Sequence, residues 1–376
     1  MSVEAIEAAL RSSDLDRAEA LSSALLPGTG AREAAAVYET AYALEVAALP
    51  GRAAALYTRV FEDPSTDDLT RICAALRSGV TLGGAGRTGD ALPMLAIAAQ
   101  STDRAIRDSA VLARLHLLVQ AAQWERILAD TDRMQADGCL GEVVQLHRVL
   151  ARVHLATAGD DEPIPQRLHP SAAVLAMHVG FTAENAGYSV LALRLFELIL
   201  ATSELPEGVR THAHCRAGVV LDRLYRWEEA EHHFRAAVDG SDPHPLARAE
   251  ALRRLGNLHY LTDNFEGALP LFNALRNEPA ASGAQRAEAM LRYGTSLLRL
   301  GRFTEAAAAL QHCREEAYGA GTDTEVRAEL LMAEIAEEQR NYAVARDCYR
   351  RAVHHPSADP LTRAAALTRL QDLPRR

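Results

Sequence analysis

Four glycines, Gly180, Gly218, Gly256 and Gly294, stand 38 residues apart, and Ala333 continues the series 39 residues later. A fixed period of this length restricts a chain to stacked supersecondary units, each too small to bury its apolar face alone. The length of 376 residues therefore says little about domain number. Apolar residues recur at helical spacing almost everywhere, broken by short Gly, Pro, Asp or Asn clusters, with no sustained period-two stretch. The pattern predicts an all-α chain of repeated helix pairs.

Within each unit the same positions recur. Twelve residues after the small residue stands Ala192, Ala230, Ala268, Ala306 or Ala345. Four further on comes Phe196, Phe234, Phe272, Leu310 or Tyr349, and three beyond that Ile199, Ala237, Leu275, Cys313 or Ala352. Small residues on both helices allow close antiparallel approach, and the large side chain is expected to fill the gap to the next pair. Tyr225-Arg226-Trp227, Asp263-Asn264-Phe265 and Gly301-Arg302-Phe303 read as turns between paired helices. The register is fainter upstream, where Gly79, Ala91, Leu95 and Ala98 match and Ala41, Ala53, Tyr57 and Val60 precede them by one 38-residue step. A degenerate unit surrounds Leu115 and Trp124, and residues 3–26 suit a capping hairpin. Glu142 to Thr157 reads as a helix, but Gly159 to Pro170 holds three prolines and an acidic cluster and cannot continue one. The expected organisation is a degenerate helical array over 1–158, an irregular linker over 159–170, and five clear repeats with a capping helix over 171–376.

The stretches Ala217 to Val238 and Tyr293 to Cys313 resemble the tetratricopeptide repeat, whose small positions match Gly218, Ala230 and Ala237 and whose aromatic matches Phe234. The resemblance implies a right-handed α-solenoid whose concave face, lined by the first helix of each pair, holds a protein or peptide. The period is about four residues longer than the family's usual 34. Projected onto this chain, the family's groove positions include Glu184, Asn185, His212, Arg223, Glu250, Arg253, Asn257, Tyr260, Arg299, Arg327, Glu334 and Glu337. Arg253 and Asn257 resemble the basic and Asn pair that holds a terminal carboxylate in chaperone-binding members. Arg292 and Arg327 add charge in the next two repeats, whereas the later basic position of that clamp falls on Leu331. Glu334, Glu337 and Glu338 make the C-terminal end acidic, which favours a partner with basic residues there.

Composition narrows the alternatives. All forty basic residues are arginine, so no Schiff-base or phosphate-loop lysine exists. A net charge of -10 disfavours nucleic acid, where cations supply most of the affinity. Five dispersed cysteines form neither a disulfide framework nor a zinc ribbon and suit a reducing compartment. With Glu4 and Glu7 near the start and no long uncharged apolar run, the expectation is a cytoplasmic protein that neither crosses nor rests on a membrane.

The familiar catalytic constellations of helical enzymes are incomplete in this sequence. Asp67-Asp68 and Asp160-Asp161 lack the continuation of a DDxxD motif, HExxH is absent, and Glu229 with His232 is half of a di-iron site. Gly83 to Asp90 is glycine-rich but joins two helices. His212, His214, Cys215, His232, His233 and His244 cluster in one repeat, yet 212 and 214 lie about 200° apart around a helix. These histidines are read as polar-face imidazoles that titrate near neutrality. The leading expectation is a non-enzymatic scaffold or sensor without cofactor or metal, binding a protein or peptide, with a carboxylate as one mode of contact. The alternative is a small-molecule- or metal-binding, even catalytic, helical protein using residues 212–259.

Overall fold

The computed structural model describes residues 3–25, 27–28, 30–134, 136–241, 243–317 and 324–374. Two compact units result: one runs from the N-terminus to Ala158 and includes Pro163–Pro165, the other comprises Gly159–Glu162 and the chain from Gln166 onward. Twenty α-helices and no strand occur among the described residues.

The first unit is a series of antiparallel hairpins: α1 (Val3–Arg11) with α2 (Leu15–Ala24), α3 (Ala31–Val46) with α4 (Pro50–Glu62), α5 (Asp68–Gly84) with α6 (Thr88–Ala98), and α7 (Arg104–Gln120) with α8 (Trp124–Thr131). It closes on α9 (Gly138–His154). In the second unit a 3₁₀ turn (Pro170–Ala172) leads into α10 (Ala173–Asn185), which pairs with α11 (Ser189–Leu200). The hairpins α12 (Glu207–Arg223) with α13 (Trp227–Asp239), α14 (Pro245–Leu261) with α15 (Phe265–Arg276), α16 (Gly283–Arg299) with α17 (Phe303–Ala317), and α18 (Thr324–Glu338) with α19 (Tyr342–His354) follow, and α20 (Pro360–Asp372) packs on α19. Successive hairpins stack, first helix against first helix, as in an α-solenoid.

The small residues work at van der Waals contact inside each hairpin. A methyl group on Gly180, Gly218 or Gly256 would lie 2.8, 2.6 or 2.7 Å from the Cε1 of Phe196, Phe234 or Phe272. Gly294 meets Leu310 and Gly79 meets Leu95 in the same way. The large residue therefore sits on the glycine of its own hairpin, and this corrects the expectation that it chiefly fills the gap to the next pair. Where the small residue is alanine the partner is a tyrosine, and its hydroxyl reaches a carboxylate: Tyr57 donates to Glu45 at 2.8 Å and Tyr349 to Glu337. Complete burial of Phe196 and near-complete burial of Phe234 and Phe272 each contribute about 1.5–3 kcal/mol.

The turns between paired helices share one geometry. The N–H of Tyr188, Arg226, Asn264, Arg302 and Asn341 each returns to the carbonyl five residues earlier, and the residue before each has a left-handed φ. This closes the orphan carbonyls of the first helix. Gly187 and Gly301 meet the conformation without strain, whereas Tyr225 (φ 60°) carries a ring there. Helix α9 ends in the same way, with Ala156 at φ 55° and Thr157 N–H bonded to Arg152 O at 2.9 Å. Pro163 and Pro165 then prevent a second helix. Arg194 of α11 instead binds the carbonyls of Asp160 and Glu162 at 2.8 and 3.0 Å.

One arginine register ties each hairpin to the one before. Arg210, Arg248 and Arg286, each eight residues before its glycine, donate to the carbonyls of Thr202 (2.8 Å), Val238 (3.3 Å) and Ala281 (2.7 Å), at the close of the preceding second helix or in the loop after it. Arg248 also pairs with the buried Glu278.

Candidate functional site

The first helices of the second unit carry most of the residues singled out from sequence, and a second arginine register organises them. An arginine two residues before the glycine reaches the residue four after the glycine of the preceding hairpin. Arg216 donates to Glu184 (Nε at 2.9 Å), Arg254 to Asp222 at 3.2 Å, and Arg292 lies over the Tyr260 ring, 4.9 Å from its centroid. In the first unit Arg77 meets Glu45 at 3.0 Å by the same rule.

These rungs engage several residues that the sequence projects into an open groove. Glu184 is one of them, but its side chain has 0% exposure and lies under Arg216 and Arg223, the latter at 2.9 Å. It is a buried anchor rather than a free ligand group. The guanidinium of Arg253 is filled by Glu250, with Nε and Nη2 at 2.8 and 2.6 Å, and Glu250 also accepts from Arg254 at 2.8 Å. These arginines hold the Glu250 carboxyl below its usual range despite its burial. Glu288 joins Arg292 (3.0 Å) to Arg327 (3.2 Å). Glu337 accepts from Tyr349 and stands 4.0 Å from Arg369. Asn185 and Arg299 are exposed, Asn257 and Glu334 half-buried, and no hydrogen bond or ion pair engages these four side chains among the described residues. The family projection misses Arg216 and Arg254, although both repeat at the 38-residue period and are visible on that ground.

The histidines separate into two groups on opposite sides of α12. His212 stacks on His244, centroids 5.4 Å apart, while the Nδ1 atoms of His214 and His233 are 3.1 Å apart with His232 edge-on to His233. Burial is the main force that lowers the pKa of His212, His214 and His233; adjacent imidazoles add to it, and His214 falls to about 4. The expected titration near neutrality is thereby displaced into acid. Burial also pushes the Cys215 thiol up to about 12, which keeps it protonated. No group of three His, Cys, Asp or Glu side chains arranged to hold a metal occurs among the described residues.

Residues 288–317 match the family model described as the tetratricopeptide repeat, and they contain Gly294, Ala306, Leu310 and Cys313 of the register above. The match falls on one hairpin, α16 with α17. Among solved structures, the chain is similar to the tetratricopeptide-repeat domain of P58(IPK) at 13% identity, covering 98% of this chain and 96% of that one with a TM-score of 0.29. It is also similar to the Cut9-Hcn1 hetero-tetramer of the APC/C (11% identity, 98% and 82% coverage, TM-score 0.38). A third likeness is to a Rap protein in complex with competence and sporulation factor (15% identity, 91% and 97% coverage, TM-score 0.34). No curated protein matches its sequence. Among the described residues, no helix is long and apolar enough to cross a membrane.

Proposed function

We propose that this tetratricopeptide-repeat chain is a non-enzymatic scaffold of the cytoplasm that binds a protein or peptide through the first-helix face of its second unit. The observation that carries the reading is the pattern of engagement on that face. Most arginines and carboxylates there neutralise one another between repeats, while Asn185, Asn257, Arg299 and Glu334 are left without hydrogen-bond or ion-pair partners among the described residues, at intervals along it. Such spacing suits an extended partner read at several points.

A ligand carboxylate, the finer form of this proposal, meets different chemistry from that expected. At Arg253 it would have to displace Glu250, whereas Arg299 presents an exposed guanidinium with no competing anion among the described residues. Affinity capture from the native cell with the full chain, followed by mass spectrometry, tests the reading. Specific proteins are expected on the wild-type chain and not on an Arg299→Glu/Glu334→Arg variant of equal helicity. Retention of nothing above background, or equal retention by the variant, overturns it.

A further inference from the structure

Two departures from the repeat's own register converge on one spot. Five residues after the small residue, the hairpins of the second unit carry Asn185, Arg223, Arg299 and Glu338, but the third carries Leu261, with 75% of its surface exposed. At the left-handed turn position the alternatives are Gly187, Asp263, Gly301 and Arg340, but the second hairpin carries Tyr225, 78% exposed. A bulky aromatic at positive φ is strained, and its exposure gives the fold nothing in return. Its ring lies edge-on to Trp227, 6.1 Å between centroids, and Trp227 is itself half exposed.

Trp227, Leu258 and Leu261 line a notch of about 250 Å³ between the second and third hairpins, with Asn257 and Thr262 as polar points and the Arg254 to Asp222 rung along one wall. The volume suits one large apolar side chain. The neighbouring charge is not balanced pair by pair: Arg226 is neutralised by Glu229 and Arg223 shares Glu184 with Arg216, whereas Glu228, Asp263 and Glu266 are exposed carboxylates without ion pairs among the described residues.

We infer that this notch is the anchor point of the partner-binding face, and that it takes an apolar side chain from a segment flanked by basic residues. The inference deepens the scaffold reading and rests on it. Trp227 lines the notch with Leu258 and Leu261, Tyr225 supports the Trp227 ring edge-on from outside it, and Asn257 offers an amide to the partner's main chain. Arginines or lysines on either side of the anchor meet Glu228, Asp263 and Glu266.

The probe is a synthetic nonapeptide with a Leu-Phe-Leu core between arginines, used beside a version with glutamates in their place and one with an alanine core. Binding to the full chain is read by anisotropy of a labelled peptide. A Trp124→Phe background leaves Trp227 as the sole tryptophan, so that its emission reports occupancy of the notch. The arginine peptide is expected to shift the Trp227 emission to the blue, and both control peptides to bind at least tenfold more weakly. Leu261→Asn, which restores a polar residue of the register, is expected to weaken binding about tenfold without changing the melting temperature. Tyr225→Gly is expected to weaken it at least fivefold while raising the melting temperature by about 2 °C, because the turn strain is relieved. No binding of the arginine peptide, equal binding of the glutamate peptide, or unchanged affinity in both variants overturns the notch assignment. If partner capture still depends on Arg299 and Glu334 while the notch variants are silent, the scaffold reading stands and this one falls.

Discussion

At the level of single residues, the contact between glycine and aromatic ring is the least tolerant feature of the repeat. Gly218→Ala places a methyl 2.6 Å from the Phe234 ring, and the resulting overpacking is expected to destabilise the protein by about 1–3 kcal/mol, measurable by urea unfolding. The pairing of Gly with Phe and of Ala with Tyr was legible in sequence as a register, but its reason was not. Only the structure shows Tyr57 and Tyr349 using their hydroxyls on Glu45 and Glu337. The histidines show the converse: their clustering was visible, whereas the burial that lowers their pKa depends on which helix faces they occupy. Because His214 is near 4 when folded and 6.5 when free, the unfolded chain binds the proton more readily. The contribution of His214 is then complete above pH 6.5 and is lost progressively as the pH drops from 6.5 to about 4, while the carboxylates held below their usual range, Glu250 among them, continue the loss at lower pH. His214→Gln is expected to flatten that slope in thermal melts recorded across the interval, with His233 and His212 contributing to what remains.

At the level of helices and turns, arginine does what lysine could not. Arg216, Arg248 and Arg254 each use separate nitrogens, and Arg248 and Arg254 reach two different partners at once, joining consecutive hairpins. An ε-amine is a point charge without that planar fork, so the absence of lysine suits a chain whose cations are largely structural ties. Arg216→Met leaves the buried Glu184 with Arg223 alone and is expected to destabilise by about 3 kcal/mol; adding Glu184→Met should recover much of the loss, as a double-mutant cycle by denaturant titration would show. Among the turns, Gly301→Ala is expected to cost about 1 kcal/mol. Arg340→Gly is expected to stabilise by about the same amount, because glycine adopts the left-handed φ of that turn without a Cβ clash; both are read from melting temperatures. Helix positions and hairpin turns followed from apolar spacing and Gly or Asn punctuation. The ties did not, because an arginine's partner in the neighbouring hairpin is fixed by stacking and not by spacing within its own helix. Sequence singles out Arg253 for a carboxylate that it already holds in Glu250.

At the level of the whole molecule, the chain is two arrays, each held by contacts between nearest neighbours. A fragment spanning residues 159–376 is expected to fold by itself, with a helical circular dichroism spectrum and a cooperative melt; a featureless spectrum would show that the second unit depends on the first. Repeat identity was legible because five units in register cannot arise from composition alone, whereas the interruption after α9 was visible only as prolines and not as the helix-ending turn that survives without its partner. The rungs between first helices have a mechanical meaning. Arg254 to Asp222, and Arg77 to Glu45 and the Tyr42 ring, join first helices of neighbouring hairpins and limit how far those helices can part. Each behaves as a strap across one junction, so cutting a rung loosens the pair of hairpins it joins and leaves the rest of the array to its own neighbours.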